Sequence, residues 1–208
     1  MATSRLLIVS LSLSFLSYFQ QISFAGDYKL VTREHSISLY ERWIQHNGGP
    51  VRELKAEFTV NTNVEKVIAL LKNEQKGLIW NNHASVYKII PEKQQQAWMA
   101  YIQYDIPWPM DDYDCLLAYH TETRPASGIT EILFKSIQSN RFPVSADITR
   151  ITGTKGKWIL EKQKDGLKIT YLITTDRNKS IPRWVSDPVI HNNLFTTMTR
   201  FKDLLEKP

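Results

Sequence analysis

The chain has 208 residues, 42% hydrophobic, 11% aromatic and 23% charged, with a formal charge of +5. That is the make-up of one globular domain with a real core, and it excludes disordered and collagen-like chains. The lysines and arginines are spread among acids, so the charge bears on solubility and leaves no nucleic-acid footprint.

Residues 1–25 read as a signal peptide. Arg5 precedes an apolar, Ser-rich run from Leu6 to Phe19, and Ser23-Phe24-Ala25 offers a small-x-small cleavage site. A membrane span would need about 20 continuous apolar residues, and the serines followed by Gln20-Gln21 break the run too early. Cleavage after Ala25 is expected, which leaves residues 26–208 as the mature domain, takes Arg5 away and lowers the formal charge to +4. The expected address is secreted or periplasmic. Cys115 is the single cysteine, so an intrachain disulfide is excluded even in that oxidising compartment, and its apolar neighbours suit a buried structural thiol.

Alternation opens the mature chain. Ile37, Leu39 and Trp43 fall on one face, then Leu54, Ala56, Phe58 and Val60 alternate with Lys55, Glu57 and Thr59, with Asn47-Gly48-Gly49-Pro50 turning the chain between the two runs. Thr62-x-x-Glu65 reads as a capping box, and Val64, Val67, Ile68 and Leu71 follow at helical spacing. A short second helix is expected around Gln75 to Trp80. A long β region follows, with strands expected at 85–90, 97–106, 114–121, 130–137, 157–162 and 168–175. Turns at Pro91, Pro107 to Asp112, Pro125 to Gly128, Gly153 to Gly156 and Asp165-Gly166 separate them, and connections this short favour an antiparallel sheet. Ile190, Leu194, Met198, Phe201 and Leu205 step along a terminal helix that Pro188 starts or kinks. The fold expected is α+β: a curved antiparallel sheet wrapped around a long C-terminal helix, in one domain without repeats.

Four stretches carry a resemblance: Tyr28-Lys29-Leu30-Val31 leading to Ile37-Ser38-Leu39-Tyr40-Glu41-Arg42; Phe58 through Leu71; Asp105-Ile106-Pro107-Trp108-Pro109-Met110 leading to Asp112-Tyr113-Asp114; and Gly156-Lys157-Trp158 through Ile181-Pro182-Arg183-Trp184. From about Tyr28 onward the chain resembles the START family of lipid-transfer domains, in the helix-grip superfamily, and most of all its simple stand-alone bacterial members. Two departures stand out. Tyr113-Asp114 replaces an arginine–aspartate pair common at that strand's start, which removes the family's ground for recognising an anionic head group, and Arg177-Asn178-Lys179 stands where many members carry a glycine pair.

The resemblance implies an internal hydrophobic cavity that holds a lipid or other hydrophobic small molecule, in a monomeric binding protein that is not an enzyme and needs no cofactor or metal. Strand alternation together with the family's cavity positions points Ala100, Ile102, Tyr104, Cys115, Leu117 and Tyr119 inward, with Phe134, Trp158, Tyr171 and Ile173 on the adjoining strands. Val189, Leu194, Met198 and Phe201 of the terminal helix would close the cavity. Each of these also suits plain core. Tyr104, Tyr119 and Tyr171 are the candidates for polar contacts to the ligand, since a buried phenol needs a partner. Trp108 would either touch a membrane surface or plug its own loop.

The rival class is a cavity-based enzyme of the cyclase or hydrolase kind on the same fold. The chain has no Gly-x-Ser-x-Gly elbow, no phosphate loop and no His-Glu-x-x-His, and its five histidines, His35, His46, His83, His120 and His191, have no ligand-like spacing. Asp105, Asp111, Asp112 and Asp114 lack the glycine and glutamate of a calcium loop and read as a solvated turn. Asn178-Lys179-Ser180 is a formal glycosylation acceptor if the host is eukaryotic.

Overall fold

Our computed structural model describes residues 26–46, 49–106, 112–143, 148–175 and 182–207. The leader, the Asn47-Gly48 turn, Trp108 with Asp111, and the segment 176–181 that carries the Ser-Ile dipeptide and the glycosylation acceptor lie outside the described residues.

Strands β1 (Lys29–Glu34), β2 (Ile37–His46) and β3 (Gly49–Val60) form a meander, and helices α1 (Val64–Leu71) and α2 (Glu74–Trp80) cross over to β4 (Ala84–Pro91). Then come β5 (Ala97–Tyr104), β6 (Tyr113–Arg124), β7 (Ile129–Ser136), the short β8 (Thr149–Arg150), β9 (Lys155–Gln163), β10 (Gly166–Thr174) and the terminal helix α3 (Arg183–Glu206). All the strands join one sheet in the order β1-β2-β3-β10-β9-β7-β6-β5-β4, antiparallel at every step. The exception is β8, which lies parallel to the start of β6 through Thr149 and Arg150. The sheet is therefore antiparallel as expected. Neither β1, an edge strand with little apolar alternation, nor the two-residue β8 was foreseen.

The register explains the core. Opposite residues run Ala56, Tyr171, Trp158 and Ile132 across β3, β10, β9 and β7, and Tyr119 faces Phe134 across β6 and β7. Since side chains alternate along a strand, these rows share one face. Helix α3 packs on that face through Met198, Phe201 and Leu205, all buried. Trp43 ends outside this core at 37% exposure, unlike its strand-mates Ile37 and Leu39, which are fully buried.

Helix α1 starts one residue later than the Thr62 capping box implied. Asn63 is the cap, its Oδ1 accepting from the Lys66 amide at 2.8 Å, and Asn73 caps α2 in the same way through the Lys76 amide. The Thr62 hydroxyl is buried without a partner. Helix α3 continues through Pro188, so that proline does not start it.

The acidic loop also differs from the solvated turn the sequence suggested. Asp105 accepts from Ser85 Oγ at 2.8 Å and Asp112 from the Ile106 amide at 3.0 Å, but Asp114 is buried at 1% exposure. Arg150 grips both Asp114 oxygens, at 2.5 and 2.7 Å, and Tyr101 donates to the same carboxylate at 3.0 Å. The hydrogen bond from Arg150 to Asp114 raises the Arg150 pKa, and the guanidinium also donates to the Phe142 carbonyl. The pair thus ties β8 and the loop before it to the outer face of β5 and β6. A buried pair that loses one partner leaves an uncompensated charge. Replacing Asp114 with Asn should cost about 3 kcal/mol of stability in urea unfolding, whereas a drop below about 0.5 kcal/mol would mean the pair does not hold this loop.

Candidate functional site

Aromatic rings connect right across the inner face. Trp98 of β5 stacks on Tyr119 of β6, with centroids 4.9 Å apart and planes 3° from parallel, and Tyr119 meets Phe134 of β7 at 5.5 Å. Phe134 then stacks on Tyr171 of β10 at 5.7 Å, and Tyr171 meets Trp158 of β9 at 4.4 Å. The line continues off the sheet to Phe201 of α3, 4.7 Å from Trp158, and on to Trp80 of α2 at 5.0 Å and Tyr87 of β4 at 5.7 Å. Gly156, opposite Phe134 in the ladder, makes the middle of this arc possible. A Cβ there would run into the Leu172 carbonyl and into the Phe134 ring edge at 2.5 Å. At the far end, Lys72 covers the Trp98 ring with its ammonium 4.4 Å from the centroid.

Polar atoms along the arc are mostly donors. The indole nitrogens of Trp80, Trp98 and Trp158 are buried without a hydrogen-bond partner. The Tyr119 and Tyr171 hydroxyls find no partner among the described residues. Tyr104 accepts from Asn81 Nδ2 at 3.1 Å, which leaves its own proton free to donate. Tyr87 differs, since it donates to the Leu71 carbonyl at 2.9 Å. Burial pushes the phenols of Tyr104, Tyr119 and Tyr171 well up, and it pushes the Cys115 thiol, with Asp114 adding to the effect, up to about 12. The interior therefore keeps its acids protonated and disfavours negative charge.

Most of the residues expected to line a cavity are brought to this face. Ala100, Ile102, Cys115, Leu117, Tyr119, Phe134, Trp158, Met198 and Phe201 are buried in one cluster. Tyr104, Tyr171, Ile173 and Leu194 pack against that cluster but keep accessible surface. Tyr104 and Tyr171 are deep enough for burial to dominate their titration and yet keep accessible surface. Val189 is a correction: it is 38% exposed and lies outside that cluster, off the stripe that Leu194 and Met198 follow. Sequence reasoning also missed Trp80 and Trp98 as site residues, although both precede or sit in apolar runs.

The two halves of α3 are held differently. Its last three turns are seated by Met198, Phe201 and Leu205. Its first turns are held by charge and amide contacts: Arg52 to Asp187 at 2.7 Å, His191 to Glu41 at 3.1 Å, and Asn82 to Asn193 at 2.7 Å. The exposed Trp184, at 81%, lies on this polar half.

Comparison with known proteins bears on the fold. No protein-family profile matches the chain. An uncharacterised protein of Pseudomonas aeruginosa is 22% identical over 184 residues, covering 88% of this chain and 89% of that protein. A STAR-related lipid transfer protein from Xanthomonas axonopodis superposes with a TM-score of 0.75 at 20% identity, over 86% of this chain and 99% of the other. The chain has the START-type helix-grip fold. The Zhui aromatase/cyclase from a Streptomyces species is a more distant match, with a TM-score of 0.51 at 13% identity over 75% of this chain and 94% of the other.

In this helix-grip domain the outer side of the sheet also has a hollow, an open trough of about 650 Å³. Its walls include Lys135, Lys155, Lys157 and Leu172, which alternate with the inward residues and so point away from α3. Lys157 is already engaged by Glu131 at 2.7 Å. The trough is wide and solvent-open, whereas the deep phenols are on the other face. With a thiol pushed up to about 12, Cys115 should resist iodoacetamide at pH 8 in the folded protein and react within minutes in urea. Rapid alkylation of the native protein would show that the inner face is open to water.

Proposed function

We propose that this helix-grip domain binds a lipid or other hydrophobic small molecule between the inner face of its sheet and α3, and that it does so outside the cytoplasm. The observation that carries the reading is the pair Tyr104 and Tyr171, deep in the molecule and yet keeping accessible surface beside a continuous aromatic arc. Apolar burial supplies the affinity: at roughly 0.8 kcal/mol per methylene, ten methylenes give about 8 kcal/mol before the loss of freedom is subtracted. The lipid-transfer protein from Xanthomonas, which shares the fold, supports the same reading.

Location rests on the leader of residues 1–25, with its apolar run and cleavage site. Among the described residues no helix is long and apolar enough to cross a membrane. Loading would proceed by release of the first turns of α3, which the Arg52–Asp187 ion pair and the Glu41–His191 and Asn82–Asn193 contacts hold. Trp184 and Val189, both exposed on those turns, suit a transient contact with a bilayer surface during that step.

A second reading, a cavity enzyme, is favoured by the fold shared with the Streptomyces aromatase/cyclase. One experiment separates the two. Mature protein purified from its own host is analysed by native mass spectrometry, and the small molecule it releases into organic solvent is identified. We expect one hydrophobic molecule per chain, unchanged on prolonged incubation, and its loss when Met198 on the inner face is replaced by the larger Trp. Chemical conversion of the bound molecule by the protein would favour the enzyme. An empty protein that also takes up nothing from a mixed lipid extract would overturn the binding reading.

A further inference from the structure

The outer face of the sheet holds a feature that binding on the inner face does not use. The open trough of about 650 Å³ crosses β6, β7, β9 and β10, a span of about 14 Å over three strand spacings. That volume falls in the range of small-molecule sites, roughly 300–1,000 Å³. Its floor is apolar, with Ala118, Leu133 and Leu172 along it. Leu133 is 36% exposed although β7 runs through the interior of the sheet.

One end of the trough is cationic. Lys135 of β7 and Lys155 of β9 are register partners, so two ammonium-bearing side chains leave the same face about 5 Å apart. Like charges placed directly opposite one another destabilise a sheet. Lys135 makes no ion pair or hydrogen bond among the described residues, so the fold supplies it no anion. The acids in the walls do not cancel this end. Glu53 is held by Arg42 at 2.6 Å and also accepts from the Tyr28 hydroxyl. Glu122 stands four residues along β6 from Ala118, the register partner of Lys135, which puts it roughly 13 Å away. Lys157, the third lysine, is engaged by Glu131.

We infer that this trough is a second binding site, for an amphipathic acid: one carboxylate on a flat or short apolar body, with the anion at Lys135 and Lys155 and the body over Leu133 and Leu172.

Two unfavourable features sit side by side here, an exposed leucine inside a sheet and a pair of opposed lysines, and one molecule with these two parts relieves both. A neutral apolar molecule covers the leucine and leaves the lysines repelling, and an inorganic anion does the reverse. Glu122 sets the orientation, because it repels the carboxylate from the far end. The concave shape takes a single molecule rather than the flat surface of a bilayer.

The test uses 2-naphthoate and its neutral counterpart 2-naphthamide, titrated into mature protein and followed by NMR. The Leu133 methyls report on the outer face and the Met198 methyl on the inner one. We expect naphthoate to bind with a Kd below about 1 mM and at least about fivefold tighter than the amide, moving the Leu133 methyls and leaving the Met198 methyl in place. Lys135→Gln should weaken naphthoate at least about fivefold and leave the amide within about twofold, and salt at about 0.5 M should weaken naphthoate in the same way without any substitution. Equal binding of acid and amide, a preference that survives both Lys135→Gln and salt, shifts at Met198 in place of Leu133, or no binding of naphthoate at about 10 mM would each overturn the inference. None of those results bears on the ligand proposed for the inner face.

Discussion

Phe201 is wedged between Trp158 of the sheet and Trp80 of α2, with ring centroids 4.7 and 5.0 Å away, and the other parts of the molecule are arranged around that contact. It fixes the C-terminal half of α3 against the sheet and brings the α1–α2 crossover onto the same helix. Because β1 and β4 are the two edges of the sheet, the crossover has to span the inner face, and it can do so only by packing against the helix that covers that face. The same wedge leaves the first turns of α3 to be held by Arg52–Asp187 and Glu41–His191. One end of the helix is thus a packed anchor and the other is held by polar contacts, and the proposed loading step releases the polar end.

Strand alternation and the four-and-three steps of Leu194, Met198, Phe201 and Leu205 made the sheet and its covering helix legible, because a sheet with one buried face and a helix with one buried stripe both write their geometry into spacing. What spacing could not show was any feature that depends on a distant partner. Asp114 read as one of four acids in a turn, and only the arrival of Arg150, 36 residues later, makes it a buried anchor. Val189 fell outside the stripe because a shift of one residue turns a side chain by about 100° around a helix. Asn63 displaced Thr62 as the cap for a similar reason, since two adjacent polar residues both qualify and only the backbone decides. Strand β8 has two residues and no pattern to read.

The site was legible in outline and illegible in its chemistry. Alternation located Tyr119, Phe134, Trp158 and Tyr171 on one face, and the resemblance to lipid-transfer domains suggested a cavity beside them. Alternation does not say whether an indole nitrogen has a partner, because the partner, if there were one, would come from another strand or from a helix. Nor does it show that Gly156 is needed to let Phe134 lie beside Tyr171, a matter of what a Cβ would meet across two strands.

Three buried indole donors without partners are costly in a folded protein, at roughly 1–3 kcal/mol each where no water reaches them. A chain selected only for stability would replace them with Phe or Leu, which pack equally well and need nothing. Their cost is borne by interactions elsewhere, among them the Asp114–Arg150 pair and the apolar core under α1.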